Sequence, residues 1–141
     1  MKKLILRVLS LSFLIFLSSC GSSDNQFELI GNADVSDGTM IYVLQADQNN
    51  QPYIKDSTSV QSYSFNFKGI SSTPQISYIQ VEGVNGYVLA ILENGDIKAD
   101  IYKDSISKSK VYGTKSNDDF IKYKSETKSL VDIMNKISSD A

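Results

Sequence analysis

Histidine and tryptophan are absent from these 141 residues, and cysteine occurs once. Each absence closes a class of chemistry. Without His there is no imidazole to act as general base beside a Ser nucleophile, and none to ligate a metal. One Cys cannot close an intramolecular disulfide, and Zn²⁺ loses its usual ligands. An excess of either charge is lacking too: 14 Lys and Arg stand against 16 Asp and Glu, a formal net charge of −2. That balance leaves no basic footprint for nucleic acid. Only Pro52 and Pro74 interrupt the backbone as prolines. The length allows one modest domain at most, since domains usually run to ~100–200 residues.

What is present begins with an address. Lys2, Lys3 and Arg7 precede an apolar run from Val8 to Leu17, broken only by Ser10 and Ser12. A basic start, a short apolar stretch and small residues at its end make residues 1–19 a secretory signal. The stretch falls short of the ~20 residues that a membrane-spanning helix needs. The alternative is an amino-terminal helix packed into the domain. Clustered Lys followed by residues apolar on every face argues against it.

The end of that run, Leu17-Ser18-Ser19-Cys20-Gly21, resembles the lipobox of bacterial lipoproteins. The resemblance implies a diacylglyceryl thioether on Cys20, cleavage just before it, and acylation of the new amine, with palmitate among the expected chains. The alternative for Cys20 is an ordinary free thiol. Several acyl chains, at ~0.8 kcal/mol per buried CH₂, hold a domain on a bilayer where one alone is marginal. Residues 20–25, lipidated Cys20 and then small polar residues, read as a flexible tether. Loss of residues 1–19 removes three positive charges and leaves 11 basic against 16 acidic groups, a formal −5. An acidic domain grips anionic headgroups poorly, so membrane association is expected through the lipid on Cys20. The expected location is the cell envelope, lipid-anchored at the outer membrane on its periplasmic face. Asp24 alone supports the alternative of the cell surface.

Residues 26–141 read as one β-rich domain. Short runs rich in Ile, Val, Tyr and Phe recur: Phe27–Ile30, Met40–Ala46, Tyr53–Lys55, Tyr63–Lys68, Ile76–Glu82, Tyr87–Glu93, Asp96–Tyr102 and Lys110–Tyr112. Tyr63–Phe67 alternates at period 2, and Ile76–Val81 does so with one lapse. Asp37-Gly38, Asn49-Asn50, Asn85-Gly86 and Asn94-Gly95 separate the runs. Asn-Gly favours tight hairpins, which predicts a three-stranded meander over Ile76–Tyr102. The fold class expected is mainly β, an antiparallel sandwich or barrel-like domain.

The carboxy-terminal part changes period. Phe120, Tyr123, Thr127, Leu130, Met134 and Ile137 recur at steps of three and four, with mostly charged residues between them. This predicts one amphipathic helix from about residue 117, capped by Asn117 or Ser116, with Asp118 and Asp119 in its first turn. A helix packed on a sheet face is the ordinary expectation. A docking surface is the sharper one.

Candidate chemistry is thin. Asp34 with Asp37, and Asp118 with Asp119, offer oxygen atoms to Ca²⁺ but lack the ligand spacing of an EF-hand, and turn chemistry and helix capping explain both. Ser105, Ser107 and Ser109 lie near Lys103, Lys108 and Lys110, a formal Ser–Lys pairing better read as a solvated strand or loop. Glu82 and Glu93 end neighbouring predicted strands, yet so small a domain leaves little room for a glycosidase groove. The expectation is no enzyme, no catalytic or metal-binding residue and no cofactor. Tyr42, Tyr53, Tyr63, Tyr78, Tyr87 and Tyr102 fall in predicted strands, where cross-strand packing is the ordinary role and a platform for sugars or peptides the sharper one.

Several motifs, in order, resemble the domain of unknown function 4369 family. They are Phe27-Glu28-Leu29-Ile30-Gly31-Asn32, Ile41-Tyr42-Val43-Leu44, Ile54 to Val60, Tyr63 to Gly69, Ile91 to Ile97, and Val111-Tyr112-Gly113-Thr114. The resemblance covers most of the chain after the signal. It implies a β-rich fold in the envelope of Bacteroidetes, in a domain that usually precedes a thioredoxin-like one. That redox activity needs a Cys-x-x-Cys, absent here, so it does not carry over. Asp56-Ser57-Thr58, the most family-like local motif, reads as a turn with short side chains bonding nearby backbone. The function expected is a lipid-anchored, non-catalytic binding or interaction module. The alternative is the front domain of a thiol–disulfide oxidoreductase system whose thioredoxin-like domain is separate or lost. Expected partners are accordingly the membrane and an envelope protein or a thioredoxin-like domain, and no nucleic acid.

Overall fold

A computed structural model describes residues 25–139. Cys20, the signal over 1–19 and nearly all of the tether lie outside the described residues. Among the described residues the chain forms β1 Gln26–Ala33, β2 Met40–Ala46, β3 Pro52–Ser59, β4 Ser64–Ile70, β5 Gln75–Val81, β6 Val88–Leu92, β7 Gly95–Ile101 and β8 Lys110–Tyr112. A short 3-10 turn, Ile106–Lys108, precedes β8, and a single α-helix, α1, spans Lys115–Ser139.

Two four-stranded sheets face each other, ordered β4-β1-β7-β8 and β3-β2-β5-β6. We refer to them as the first and the second sheet. Every pairing is antiparallel except β1 with β7, which is parallel. At one side β3 approaches β4, and at the other β6 approaches β8. The sheets remain separate, so the mainly β, sandwich-like form holds and no closed barrel forms among the described residues. Residues of one parity fill the space between. Leu29, Ile97 and Ile101 from the first sheet meet Ile41, Ile79 and Leu92 from the second, all 2% exposed or less. Among the described residues every buried side-chain nitrogen or oxygen has a hydrogen-bond partner, as a stable interior requires.

The predicted meander does not form. β5 and β6 pair as expected, but a six-residue loop joins them, longer than the two-residue turn that Asn85-Gly86 favours. Asn94-Gly95 marks no hairpin: Gly95, at φ +119°, starts β7 in the first sheet, beside β1. An αL glycine turns the chain as readily between sheets as within one. Asp56-Ser57-Thr58 is likewise not a turn. It lies within β3, paired to β2, with Lys55 the extra residue of a β-bulge opposite Val43 and Leu44. The short-range bond expected of it is nevertheless made, Ser57 N–H donating to Asp56 Oδ1 at 2.7 Å.

The β1–β4 ladder carries a reciprocal device. Gly31 stands directly opposite Phe65, and Gly69 directly opposite Phe27. Each ring lies across the glycine it faces, so an added Cβ would sit 2.0 Å from Phe65 Cζ at Gly31 and 2.7 Å from Phe27 Cε1 at Gly69. Phe65 is 3% exposed and has nowhere to retreat. Gly31→Ala is therefore expected to overpack this ladder and cost about 1–3 kcal/mol, read from a urea unfolding curve. Phe65→Leu in the same background should recover part of the loss, and an unchanged midpoint in the single variant would contradict this packing.

Candidate functional site

The two outer faces of the sandwich differ in chemistry. On the first sheet β1, β4, β7 and β8 turn Glu28, Asn66, Lys68, Asp96, Lys98, Asp100 and Lys110 outward. Asn66 donates to Glu28 Oε1 at 2.7 Å, Lys68 pairs with the same oxygen at 3.1 Å, and the Asn66 bond leads in holding that carboxyl below its usual range. Ile30 and Ile70 also point outward, 48% and 74% exposed, as single apolar residues on an otherwise polar surface.

The second sheet is otherwise. Ile54, Leu44, Tyr78 and Leu89 stand in one register row across all four of its strands, and Ile76 stands beside Ile91 in the next. These side chains occupy the parity opposite to the core. Ile54 is 58% exposed and Ile76 61%, while Leu44, Leu89 and Ile91 are half-buried. Tyr87, just before β6, packs edge-on against Tyr78 with ring centroids 6.3 Å apart. Contiguous exposed apolar area of this kind marks interaction surfaces. The signal was in the sequence. β2, β5 and β6 carry apolar residues at both parities, and the lapse in the alternation of Ile76–Val81 is this second face.

The apolar face runs on to the helix. An open cleft of 390 Å³ lies between the β6 and β8 sides of the sandwich and the first turns of α1, lined by Tyr87, Leu89, Ile106, Phe120, Ile121 and Lys124 among others. Its geometry is set by an anchorage that capping preferences alone did not reveal. The helix begins at Lys115, earlier than expected, and Asn117 is 1% exposed inside its first turn. Asn117 Oδ1 accepts from Ile91 N–H at 2.9 Å, and its Nδ2 donates to Ile91 O and to Thr114 Oγ1, both at 2.8 Å. Glu93 grips the same turn, accepting from Ser116 N–H and from Ser116 Oγ at 2.7 Å each. Beyond this turn the expected packing on a sheet face does not occur. Tyr123, Leu130, Met134 and Ile137 are 62–68% exposed, because only the amino-terminal turns reach β6 and β8.

The other candidates disperse. Asp37 accepts from Ser62 N–H, Asp118 from Gly113 N–H, and Asp119 pairs with Lys115. Asp34 lines a shallow recess of 200 Å³ with Tyr63 and Tyr102, at the end of the sandwich where β1 and β7 finish. Ser109 Oγ accepts from Tyr102 N–H, Lys103 pairs with Asp104, and Lys110 with Asp100, so no Ser–Lys couple forms there. That segment is a loop, as one of its two readings expected, with a 3-10 turn at Ile106–Lys108 leading into β8. Glu82 and Glu93 follow antiparallel neighbours and so stand at opposite ends, roughly 27 Å apart by strand rise. Of the six tyrosines, Tyr42, Tyr78 and Tyr87 gather on or beside the outer face of the second sheet. Tyr53 lies on the edge strand β3, where its hydroxyl donates to Gln45.

The sequence profile of the domain of unknown function 4369 family matches residues 27–120, more than half of the chain. The chain belongs to this family. No curated protein and no solved structure is significantly similar to it. The match spans both sheets of the family domain and ends at Phe120, within the anchored turns of α1. Among the described residues no helix is long and apolar enough to cross a membrane.

The Glu93 clamp predicts a pH dependence. Burial pushes its carboxyl up, but the Ser116 and Thr114 hydroxyls, Ser116 N–H and Lys115 outweigh it and hold the group below its ordinary value. A depressed carboxyl stabilises the fold above its unfolded-state value, and that contribution is lost as pH falls through the folded-state one. The urea midpoint of wild type should therefore exceed that of Glu93→Gln most at neutral pH, and the gap should shrink in acid. A gap independent of pH would contradict this role.

Proposed function

We propose that this protein is a lipid-anchored, non-catalytic interaction module of the bacterial envelope, tethered through Cys20 and engaging an envelope protein on the outer face of its second sheet. The observation that carries the reading is the register row Ile54–Leu44–Tyr78–Leu89, an apolar stripe four strands wide on a face that no layer covers among the described residues. A flat stripe fits the apolar patch of a folded protein better than it fits a small molecule, which needs a concave pocket. Tyr78 and Tyr87 add aromatic groups of the kind enriched at the centres of interfaces. The signal-like start and the Leu-Ser-Ser-Cys sequence support the anchor, and the acidic remainder supports lipid over a basic patch as the means of holding to the bilayer.

The exposed continuation of α1 supports a second reading, in which the partner is a thioredoxin-like domain and this chain is the non-catalytic front part of a thiol–disulfide system.

One preparation tests anchor and surface together. Mature protein isolated from membranes should begin at Cys20 and carry the mass of a triacylated amino terminus. Chemical crosslinking in intact cells should capture a discrete envelope partner, and Tyr78→Arg should abolish the capture without changing the circular dichroism spectrum. An unmodified thiol at Cys20 would overturn the anchor. Capture unaffected by Tyr78→Arg would overturn the surface, and a captured thioredoxin-like protein would decide for the second reading.

A further inference from the structure

The cleft beside α1 is concave where the outer face of the second sheet is flat. Its volume, 390 Å³, falls within the ~300–1,000 Å³ of small-molecule sites, which are mostly apolar with a few polar groups that orient the ligand. Its shape is set by the protein alone. Asn117 and Glu93 fix the first turn of α1 against β6 and the residues that follow it. That anchorage holds Phe120 and Ile121, both half-buried, as one wall. Ile106 lies close on Gly86, where an added Cβ would stand 3.0 Å from Ile106 Cγ2.

Charge separates this cleft from other recesses. Asp and Glu outnumber Lys and Arg 16 to 14 in the chain, yet no carboxylate lines it, and its charged residues are Lys110 and Lys124. The recess at Tyr63 carries Asp34 and Asp100 instead. A notch of 90 Å³ on the β3 and β4 side sets Asp56 beside Lys55 and Lys68. Lys110 is partly engaged, its Nζ 3.8 Å from Asp100 Oδ2. Lys124 is not. Among the described residues no carboxylate pairs with it, and its Nζ lies 5.9 Å from the ring centroid of Phe120 on the cleft wall. A lysine stem laid along apolar surface keeps its ammonium in water, where it can meet an anion. An apolar trough with cations at its margin selects a ligand apolar along its body and anionic at one end. An extended peptide would instead pair with the edge of β6, where Asn117 already occupies the backbone groups of Ile91.

We propose that this cleft binds a single-chain fatty carboxylate, its alkyl chain along Leu89, Ile106, Phe120 and Ile121 and its carboxylate at Lys124, with Lys110 as a second, weaker cation. The site rests on neither the lipid on Cys20 nor the stripe on the second sheet.

Titration calorimetry of the chain from residue 20 onward tests it, with Cys20→Ser so that no acyl chain of its own competes. The probes are octanoate, decanoate and decanol, each below its aggregation limit. Decanoate should bind more tightly than octanoate by up to about sixteenfold, since each buried methylene adds about fourfold. Lys124→Glu should weaken decanoate about tenfold, by removing one attraction and adding one repulsion, and should leave decanol within about twofold. Lys124→Arg should retain decanoate. In nitrogen-15 spectra the amides of Leu89, Ser107 and Ile121 should shift on adding decanoate, and the spectrum of each variant reports that it is folded. Absence of decanoate binding, shifts confined to residues away from the cleft, or an equal loss of decanoate and decanol in Lys124→Glu would overturn the proposal.

Discussion

A parallel strand pair cannot be closed by a tight turn, and this fold depends on one. β7 lies parallel to β1, so between them the chain must travel back to the end at which it started. In α/β proteins a helix makes that return. Here the return is made by β2 through β6, which build the whole second sheet and the β4 edge of the first. The sandwich is thus the crossover of a single parallel pair. It explains why β1 is flanked on both sides, by β4 and β7, and why Leu29 at its centre is fully buried. It also explains why the β1–β4 ladder tolerates so little change, with two phenylalanines laid across two glycines.

From that arrangement follows the asymmetry of the outer faces. The strands of the first sheet turn mostly polar and charged residues to water, with Ile30 and Ile70 the apolar exceptions. Those of the second are apolar on both sides, although among the described residues only one side has a layer to cover it. The helix, the one element able to supply a layer, is held at its first turn and directed elsewhere. Two apolar surfaces are left open, one flat and one helical, meeting at the cleft beside Tyr87 and Phe120. Neither contributes to the core.

Much of this was legible in the residues. Met40–Ala46 and Lys110–Tyr112 are strands with the boundaries that their composition implies, and the amphipathic helix is where the period changes. What escaped was non-local. Asn94-Gly95 has the chemistry of a hairpin, and nothing nearby in sequence tells a turn within a sheet from a step between sheets. Asp56-Ser57-Thr58 has turn-forming side chains, but the bulge at Lys55 and the ladder to β2 absorb them into a strand. Asn117 reads as a helix cap by propensity. Its actual partners, the backbone groups of Ile91, lie 26 residues away and are invisible to any local rule. The apolar outer face was present as a broken alternation, which reads as an imperfect strand until the sheet is assembled.

Asn117 also decides how this domain can be approached. β6 is the outermost strand of its sheet, and the free edge of such a strand templates further strands. By presenting both an acceptor and donors to Ile91, one carboxamide imitates the backbone of a neighbouring strand and occupies that row. At the opposite margin the bulge in β3, together with Pro52 and Lys55, makes a poor template as well. Both margins of the second sheet are therefore poor templates for a further strand. Growth of that sheet by strands borrowed from other chains is disfavoured, and its open face is easier to reach than either edge.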